Sequence, residues 1–247
     1  MINRDGVSVL HERTERISQW IAEKVAEAGS AGVILGLSGG VDSSVAAVMC
    51  KKVFPENILG LIMPCHSHPQ DTQDALLIAK KFAIPHKTID LNSTYDIFLE
   101  VLLKNVSKSH FIAEANLKPR LRMIALYYYA NLLNYMVVGT SNKSEIITGY
   151  ITKYGDGGVD IEPLGGLLKS EVYEIAEILD IPDNIIKKKP SAGLWVGQTD
   201  QQEMGLSYEE LDGFLRDGTG SKYVKTRAEE LIGKSEHKRN TPPIPDF

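Results

Sequence analysis

Short strand-like segments alternate with helical segments along most of the chain. Strands are predicted at residues 33–37, 58–63, 86–90 and 135–139, and helices at 7–28, 41–52, 72–82, 92–103, 119–135, 168–179 and 221–232. Apolar strands that must be covered on both faces are typical of parallel sheets with crossover helices. The alternation therefore predicts an α/β fold, a doubly wound parallel sheet with helices on both faces in a Rossmann-like arrangement.

Length, charge and cysteine content narrow the class of protein. The 247 residues fit a single domain over positions 1–247, and the net charge of −5 argues against nucleic-acid binding, which requires a basic face. We find no apolar run of about 18 residues and no secretory signal, so we expect neither a membrane protein nor a secreted one. Cys50 and Cys65 are too few for a disulfide scaffold and indicate a cytoplasmic location.

A glycine-rich segment, Ser38-Gly39-Gly40-Val41-Asp42-Ser43, joins the first predicted strand to the following helix. Ligands of open α/β sheets bind at such junctions, where glycines expose backbone N–H groups and the helix N-terminus adds positive potential. The segment therefore predicts a phosphate-binding loop. Asp42 would repel a phosphate unless a cation lay between them, which makes it a candidate Mg²⁺ ligand.

The loop differs from two well-known nucleotide-binding motifs. It lacks the Gly-Lys-Ser/Thr ending of a Walker A motif and the Gly-x-Gly-x-x-Gly of dinucleotide-dependent oxidoreductases. It resembles instead the loop of the ATP pyrophosphatases, which release AMP and pyrophosphate. That resemblance implies the reaction type and leaves the second substrate open. The alternatives are a tRNA-modifying enzyme of this class and a non-catalytic nucleotide-binding protein.

Further segments resemble one branch of this class, the ammonia-dependent NAD synthetase family. The segments are 116–122 (NLKPRLR), 139–145 (GTSNKSE), 148–164 (TGYITKYGDGGVDIEPL), 169–172 (KSEV), 189–195 (KPSAGLW), 197–200 (GQTD) and 237–239 (HKR). The resemblance runs in order from about residue 17 to the C-terminus. It implies an adenine nucleotide α-hydrolase-like fold and a homodimer with the substrate pocket at its interface.

The resemblance also implies roles for individual residues. The implied ATP contacts are Gly36, Leu37, Ser38, Gly39, Gly40, Val41, Asp42, Ser43, Thr140, Lys169 and Ser191. The implied Mg²⁺ ligands are Asp42 and Glu145. The implied contacts of deamido-NAD (nicotinic acid adenine dinucleotide) are Arg120, Lys153, Asp160, His237 and Lys238. Asp156 and Lys169 are the implied catalytic residues, the first as a base in the ammonia step and the second on the leaving pyrophosphate.

The implied reaction has two steps. The nicotinate carboxylate of deamido-NAD attacks the α-phosphorus of Mg·ATP, which gives an acyl-adenylate and pyrophosphate. Ammonia then displaces AMP and leaves the amide of NAD. Glutamine-using relatives carry an additional glutaminase domain, for which we expect no room here, so free ammonia is the expected nitrogen source.

The sequence departs from the family pattern at three places. Ser191 stands where threonine is common, the arginine expected beside Pro64 is missing, and Gln201 replaces an acid after Asp200. The missing arginine puts one ATP contact in doubt.

Three other segments receive predictions of their own. The run Lys187-Lys188-Lys189 is interpreted as a solvated segment. The crowded His66 and His68 are interpreted as a loop without a metal function. Residues 187–206, rich in glycine and polar side chains, are predicted to be a loop that closes over ATP. For Asp156, a simple Asp-Gly turn is the alternative to a catalytic role.

Overall fold

The computed structural model describes residues 4–106, 108, 110–195 and 197–245. Its sheet has four parallel strands in the order β3-β2-β1-β4: β1 (Gly32–Gly36), β2 (Ile58–Ile62), β3 (His86–Thr88) and β4 (Tyr135–Val137). The predicted strands are therefore present, with β3 and β4 each two residues shorter than expected. An isolated parallel bridge between Val138 and Ile161 extends the edge beyond β4.

Twelve helices are found among the described residues. They are α1 (Arg4–Glu27), α2 (Val41–Val53), α3 (Pro69–Lys81), α4 (Asn92–Leu103), α5 (Phe111–Ala115), α6 (Leu117–Leu133), α7 (Lys143–Thr148), α8 (Lys169–Ile178), α9 (Asp183–Ile186), α10 (Asp200–Met204), α11 (Tyr208–Asp217) and α12 (Lys222–Arg239). None of the helices in this described part combines the length and apolar character needed to cross a bilayer.

Two apolar cores cover the two faces of the sheet. Side chains alternate along a strand, so Val33 and Leu35 of β1 pack into one core with residues of α1, α2, α3 and α8. Ile34 points the other way and packs with residues of β2, β4, α4 and α6. The prediction of a doubly wound parallel sheet is confirmed. Cys50 and Cys65 are buried, one in each core, and both thiols are free.

The C-terminal third is more helical than the sequence predicted. No helix was predicted between residues 179 and 221, but this stretch contains α9, α10 and α11. The last helix, expected over residues 221–232, continues to Arg239. A third apolar cluster explains the added helices, because α10, α11 and α12 bury Met204, Leu211 and Ala228 against one another. The extension of α12 lies outside this cluster and is bonded to the region of α7, where Arg239 donates to the Ile147 carbonyl and Lys238 to the Gly149 carbonyl. Packing within this cluster supplies the stability that the short, polar helical segments lack by themselves.

The strand order places a crevice between β1 and β4. From β1 the chain proceeds through β2 to β3 on one side and then crosses to β4 on the other side. Ligands of doubly wound sheets bind at the carboxyl ends of the strands where the order reverses. The phosphate loop follows β1 and the segment 139–145 follows β4, so both meet at this crevice.

Candidate active site

A cavity of about 800 Å³ lies at the carboxyl ends of the strands. The loops after β1, β2 and β4 line it, together with parts of the segments 149–159 and 185–203. Of the predicted ATP contacts, those that line it are Gly36, Leu37, Ser38, Gly40, Val41, Asp42, Ser43, Thr140, Lys169 and Ser191. This volume is in the range of ordinary ligand pockets, which is roughly 300–1,000 Å³.

The phosphate loop is held by its own serines and by a close approach to α3. The Ser38 and Ser43 hydroxyls are 2.9 Å apart, and the Gly40 N–H donates to Ser38 Oγ at 3.2 Å. Gly39 has φ +77°, and a Cβ there would lie 2.3 Å from the Asp71 carbonyl oxygen. Only glycine fits this position, because the conformation and the contact both exclude a side chain.

An ionic cluster lies beside the loop. The ammonium of Lys169, at the start of α8, contacts Asp42 Oδ2 and lies 3.2 Å from Glu145 Oε1. The Asn142 amide donates to Asp42 Oδ1 at 2.9 Å, and the Tyr208 hydroxyl lies 2.9 Å from Asp200 Oδ2 and 3.2 Å from Glu145 Oε1. Asn142 also caps α7 in a capping box with Glu145. The cap orients the Glu145 backbone and side chain toward Asp42.

Burial and charge set the protonation states of this cluster. Burial disfavours the charged form of Lys169, but the carboxylates of Asp42 and Glu145 outweigh it and raise the Lys169 pKa, so this group is an ammonium. Burial raises the pKa of Glu145, and Lys169 opposes that shift. Burial also raises the pKa of Asp200, whose Oδ1 is the one buried side-chain polar atom without a partner among the described residues. The cluster carries more carboxylates than cations.

The carboxylate pair fits a magnesium ion. Asp42 and Glu145 both reach the position now filled by the Lys169 ammonium, which shows that their oxygens converge on one cation. No group of three or more potential ligand side chains is found in the described ranges. Mg²⁺ commonly takes one or two carboxylates and completes its shell with phosphate oxygens and water. Asp42 and Glu145 would hold the ion, which would screen the phosphate charge of ATP.

Asp156 lines the same cavity. Its Oδ1 accepts a hydrogen bond from the Thr152 N–H at 3.0 Å. The residue is accessible along the cavity, but surrounding protein atoms still desolvate the carboxylate and raise its pKa. The hydrogen bond from the Thr152 N–H is typical of a turn residue. The position of Asp156 in the cavity lining is consistent with a role as a base. Its catalytic role stays a prediction.

The predicted dinucleotide contacts fall into separate places. Lys238 lines the cavity and donates to the carbonyls of Gly149 and Ile151, at 2.7 Å each. Arg120 donates to the Lys153 carbonyl at 3.3 Å, and the Lys153 ammonium donates to the carbonyl of His237. Arg120, Lys153 and His237 thus form a basic group next to the cavity, outside its lining.

Asp160 has structural partners instead. It accepts from the Val137 N–H at 2.7 Å and from the Tyr127 hydroxyl at 2.8 Å, and it is not part of the cavity lining. The two bonds join β4 to α6. A contact between Asp160 and the substrate stays a prediction.

Lys188 is a cavity residue that the sequence interpretation missed. Its ammonium lies 2.6 Å from Asp71 Oδ1 and 2.8 Å from Asp74 Oδ2, both on α3, and 3.4 Å from the Gly39 carbonyl oxygen. The interpretation of 187–189 as a solvated segment is therefore wrong for Lys188, although Lys187 is exposed. In the sequence, only the i, i+3 spacing of Asp71 and Asp74 indicates a binding place for a cation such as Lys188, because it puts two carboxylates on one face of a helix.

Arg122 is the second residue that was missed. It lines the cavity, and its Nε donates to the Met63 carbonyl at 3.1 Å, directly before Pro64. A guanidinium group is therefore present at the carboxyl end of β2, although the arginine expected there in the sequence is absent. The motif around Arg120 contains Arg122, but spacing alone does not show which of the two faces the cavity.

The two histidines after β2 have local partners. His66 Nε2 lies 2.7 Å from Asp96 Oδ1, and its backbone has φ 51°. His68 Nδ1 accepts from the Gln70 N–H at 3.2 Å and caps α3. Both side chains therefore have roles in shaping the loop at the cavity rim.

The described residues of the segment 187–206 line one side of the cavity, and several of them have anchoring contacts. The buried Lys118 ammonium donates to the Leu194 carbonyl at 2.6 Å, and the Leu194 N–H donates to Gln198 Oε1 at 2.7 Å. The rings of Trp195 and Phe111 meet edge to face with centroids 5.0 Å apart. The segment is not wholly irregular, since it contains α10. Its movement on nucleotide binding stays a prediction.

The sheet order and the glycine-rich loop after β1 define an α/β protein of the adenine nucleotide α-hydrolase-like class. Comparison with known proteins then identifies the family. The NAD synthase family model matches residues 13–242, and the chain belongs to that family.

Individual relatives agree over nearly the whole chain. An NH3-dependent NAD(+) synthetase of Syntrophomonas wolfei is 50% identical over 231 residues, which cover 92% of this chain and 93% of the relative. The solved structure of an NMN synthetase from Francisella tularensis is 39% identical with a TM-score of 0.92, covering 96% of this chain and 99% of that one. An NH3-dependent NAD synthetase from Campylobacter jejuni is 34% identical with a TM-score of 0.79 and covers 96% and 99%.

Proposed function

We propose that the protein is an ammonia-dependent ligase that forms NAD from deamido-NAD, ATP and ammonia, with AMP and pyrophosphate as the other products. The observation that carries the proposal is the convergence of Asp42, Glu145 and Lys169 beside a glycine-rich phosphate loop. The 50% identity to a relative named as an NH3-dependent NAD(+) synthetase supports the same activity. The free, buried thiols support a cytoplasmic location.

The residues of the ionic cluster have different roles in adenylation, the first step. Asp42 and Glu145 would hold Mg²⁺, which supplies charge screening on the phosphates when it is bound. The phosphate oxygens would bind at the N-terminus of α2, where the first helical N–H groups have no acceptor within the helix and add positive potential. The Lys169 ammonium would turn from the two carboxylates toward the leaving pyrophosphate and stabilise its negative charge. The protein therefore positions two anionic substrates and offsets their repulsion.

The second step needs a neutral ammonia molecule. Ammonium is a poor nucleophile until it loses a proton, and a carboxylate can both attract the cation and accept that proton. Asp156 lines the cavity, and desolvation by the surrounding protein atoms raises its pKa, which makes it a better base than an ordinary aspartate. We assign the proton transfer to this residue.

A second acceptor is supported by one specific observation. The relative with the TM-score of 0.92 is named as an NMN synthetase, which points to nicotinic acid mononucleotide as the alternative to the dinucleotide. Arg120, Lys153 and His237 lie outside the cavity lining. We expect them to contact the second nucleotide half of deamido-NAD, which a mononucleotide lacks. These residues should therefore matter only if the dinucleotide is the substrate.

One assay separates these outcomes. Purified protein is incubated with Mg·ATP and ammonium chloride, together with either deamido-NAD or nicotinic acid mononucleotide, and the nucleotides are separated by chromatography. NAD, AMP and pyrophosphate are expected in equal amounts with deamido-NAD. Preference for the mononucleotide would support the second acceptor, and formation of ADP in step with the amide would contradict the proposed reaction. Glutamine without ammonium is expected to give no amide.

We further propose a homodimer. Exposed apolar side chains follow one stripe of α6, with Ile124 at 59%, Tyr128 at 66% and Leu132 at 66% exposure, and continue onto the neighbouring α4 with Ile97 and Val101. Exposed apolar side chains that cluster on adjacent helices are typical of interaction surfaces, and a second copy of the chain can cover them symmetrically. Leu132→Asp should give a monomer by light scattering, whereas Val9→Asp on the exposed side of α1 should not. A wild-type monomer with full activity would contradict the dimer.

A further inference from the structure

Arg122 places a fixed positive charge on the wall of the cavity. Its Nε donates to the Met63 carbonyl at 3.1 Å, and its Nη2 donates to Ser67 Oγ at 3.0 Å. These two bonds fix the plane of the guanidinium group at the carboxyl end of β2. The third nitrogen, Nη1, has no hydrogen-bond partner among the described residues, although the side chain lines the cavity.

Among the residues that the structure describes, no carboxylate forms a direct ion pair with Arg122, although the more distant Asp71 and Asp156 partly offset its charge. Lys169 and Lys188, two other partly or fully buried cations of the cavity wall, each form ion pairs with two carboxylates. Arg122 has no carboxylate within ion-pair distance in the ranges that the structure describes. Burial lowers its pKa, yet a guanidinium remains charged in proteins. A desolvated charge without a directly paired counter-ion is costly, so the site gains free energy when an anion binds beside it.

We propose that Arg122 binds an anionic oxygen of the substrates through the unpaired donors of its Nη1 and thereby supplies the positive charge that is missing beside Pro64. The inference rests on the proposed function. Adenylation brings a carboxylate and the α-phosphate of ATP together, and both carry negative charge. A rigid guanidinium beside them offsets this repulsion without any reorganisation at the moment of reaction.

Two ligands can supply the anionic oxygen, the ATP phosphates and the nicotinate carboxylate. Titration calorimetry with Mg·ATP alone and with deamido-NAD alone distinguishes them, because neither measurement needs turnover. Arg122→Gln is expected to weaken binding of one of the two by about 100-fold and to slow pyrophosphate exchange into ATP to a similar degree. Arg216→Gln, an exposed arginine outside the cavity lining, is the charge-matched control and should bind both nucleotides as the wild type does.

The competing explanation is that Arg122 only tethers the loop after β2. Ser67→Ala removes one tether and keeps the charge, so it should cost no more than about fivefold in affinity. Equal losses in Ser67→Ala and Arg122→Gln would overturn the proposal, as would binding of both nucleotides by Arg122→Gln within about fivefold of wild type. If Arg122→Gln fails to fold, Arg122→Lys provides the test. This variant keeps the positive charge but lacks the planar guanidinium donors, so the affinity for one of the two ligands should still fall by about tenfold. Unchanged binding in Arg122→Lys would overturn the proposal in that case.

The calorimetric results also separate this inference from the proposed function. A wild-type protein that binds ATP but forms no amide would contradict the proposed function alone. Arg122 is judged by the ligand affinities of its variants, which remain measurable in that case.

Discussion

The Lys169 ammonium, at the first residue of α8, forms an ion pair with the Asp42 carboxylate of the phosphate loop, 127 residues earlier in the chain. Lys169 is 2% exposed, so the pair is shielded from water. A buried pair adds little net stability because desolvation offsets the attraction, but removal of one partner leaves an uncompensated charge. The pair holds two reactive groups in place beside the crevice between β1 and β4.

Asp42→Asn should abolish turnover and also destabilise the fold. Loss of a direct metal ligand should cost more than the roughly 10–100-fold seen for supporting residues of metal sites, so we expect a decrease above about 100-fold in AMP formation. Lys169 then keeps only Glu145 as a carboxylate partner, and the lost charge compensation should lower the free energy of unfolding by about 2 kcal/mol. Adding Lys169→Met should recover stability in urea titrations without recovering activity. Asp183→Asn, at an exposed position, is the control, and near-normal activity of Asp42→Asn would remove Asp42 from the site.

Lys188→Met should lower the free energy of unfolding and displace the phosphate loop, whereas Lys187→Met should do neither. Lys188 lies between Asp71, Asp74 and the Gly39 carbonyl, and its removal leaves the buried Asp74 with less charge compensation, a loss of about 2 kcal/mol. The KM for ATP should rise by roughly tenfold or more, since a small displacement of positioning groups is costly. Equal behaviour of the two variants would show that the ion pairs have no effect on the loop.

Glu162 should make stability depend on pH. Burial raises its pKa from 4.5 to about 8, and its Oε2 accepts from the Ser141 N–H at 3.1 Å. Between these values the folded state keeps a proton that the unfolded state has released, so stability is complete below pH 4.5, falls as the pH rises, and levels off above pH 8. Glu162→Gln should therefore gain stability relative to wild type between pH 5 and pH 9 in urea titrations. A constant difference across this range would contradict the shifted pKa.

Asp156→Asn should separate the two steps of the proposed reaction. Exchange of labelled pyrophosphate into ATP, which reports adenylation, should persist, while NAD formation should fall by about 100-fold or more because the base is lost. The loss should be smaller at high pH, where free ammonia is plentiful. If exchange falls in parallel with amide formation, Asp156 acts in adenylation or folding. If neither falls, the residue is only a turn residue bonded to Thr152.

Lys118→Met should loosen the segment 187–206. Lys118 donates to the Leu194 carbonyl, and the variant loses this anchor while the Trp195–Phe111 contact remains. Limited proteolysis within 187–206 should be faster than in wild type, and Mg·ATP with deamido-NAD should slow it in both proteins if the segment closes over the nucleotides. Unchanged cleavage of the wild type on adding both nucleotides would mean that this segment is a static wall of the cavity.

The sequence predicted the sheet and most of the residues along the phosphate loop, because those features are local. Strand and helix periodicities repeat within a few residues, and a glycine-rich turn between a strand and a helix has few conformations. The helices α10 and α11 escaped prediction because they are short and depend on the third apolar cluster. Local propensity does not stabilise such helices, and burial against α12 does.

What the sequence determined by itself is therefore the class of fold, the family and the chemical character of the loops at the carboxyl ends of the strands. What only the tertiary structure decided is which charges meet. Lys169 is paired to Asp42 and Glu145, Lys188 is paired to Asp71 and Asp74, and Arg122 has no carboxylate partner among the described residues. These pairings join residues on different elements, so they depend on strand order and helix packing together. Sequence spacing carries no information about such distances, because the energy of a charge depends on its neighbours in space and on their exposure to water.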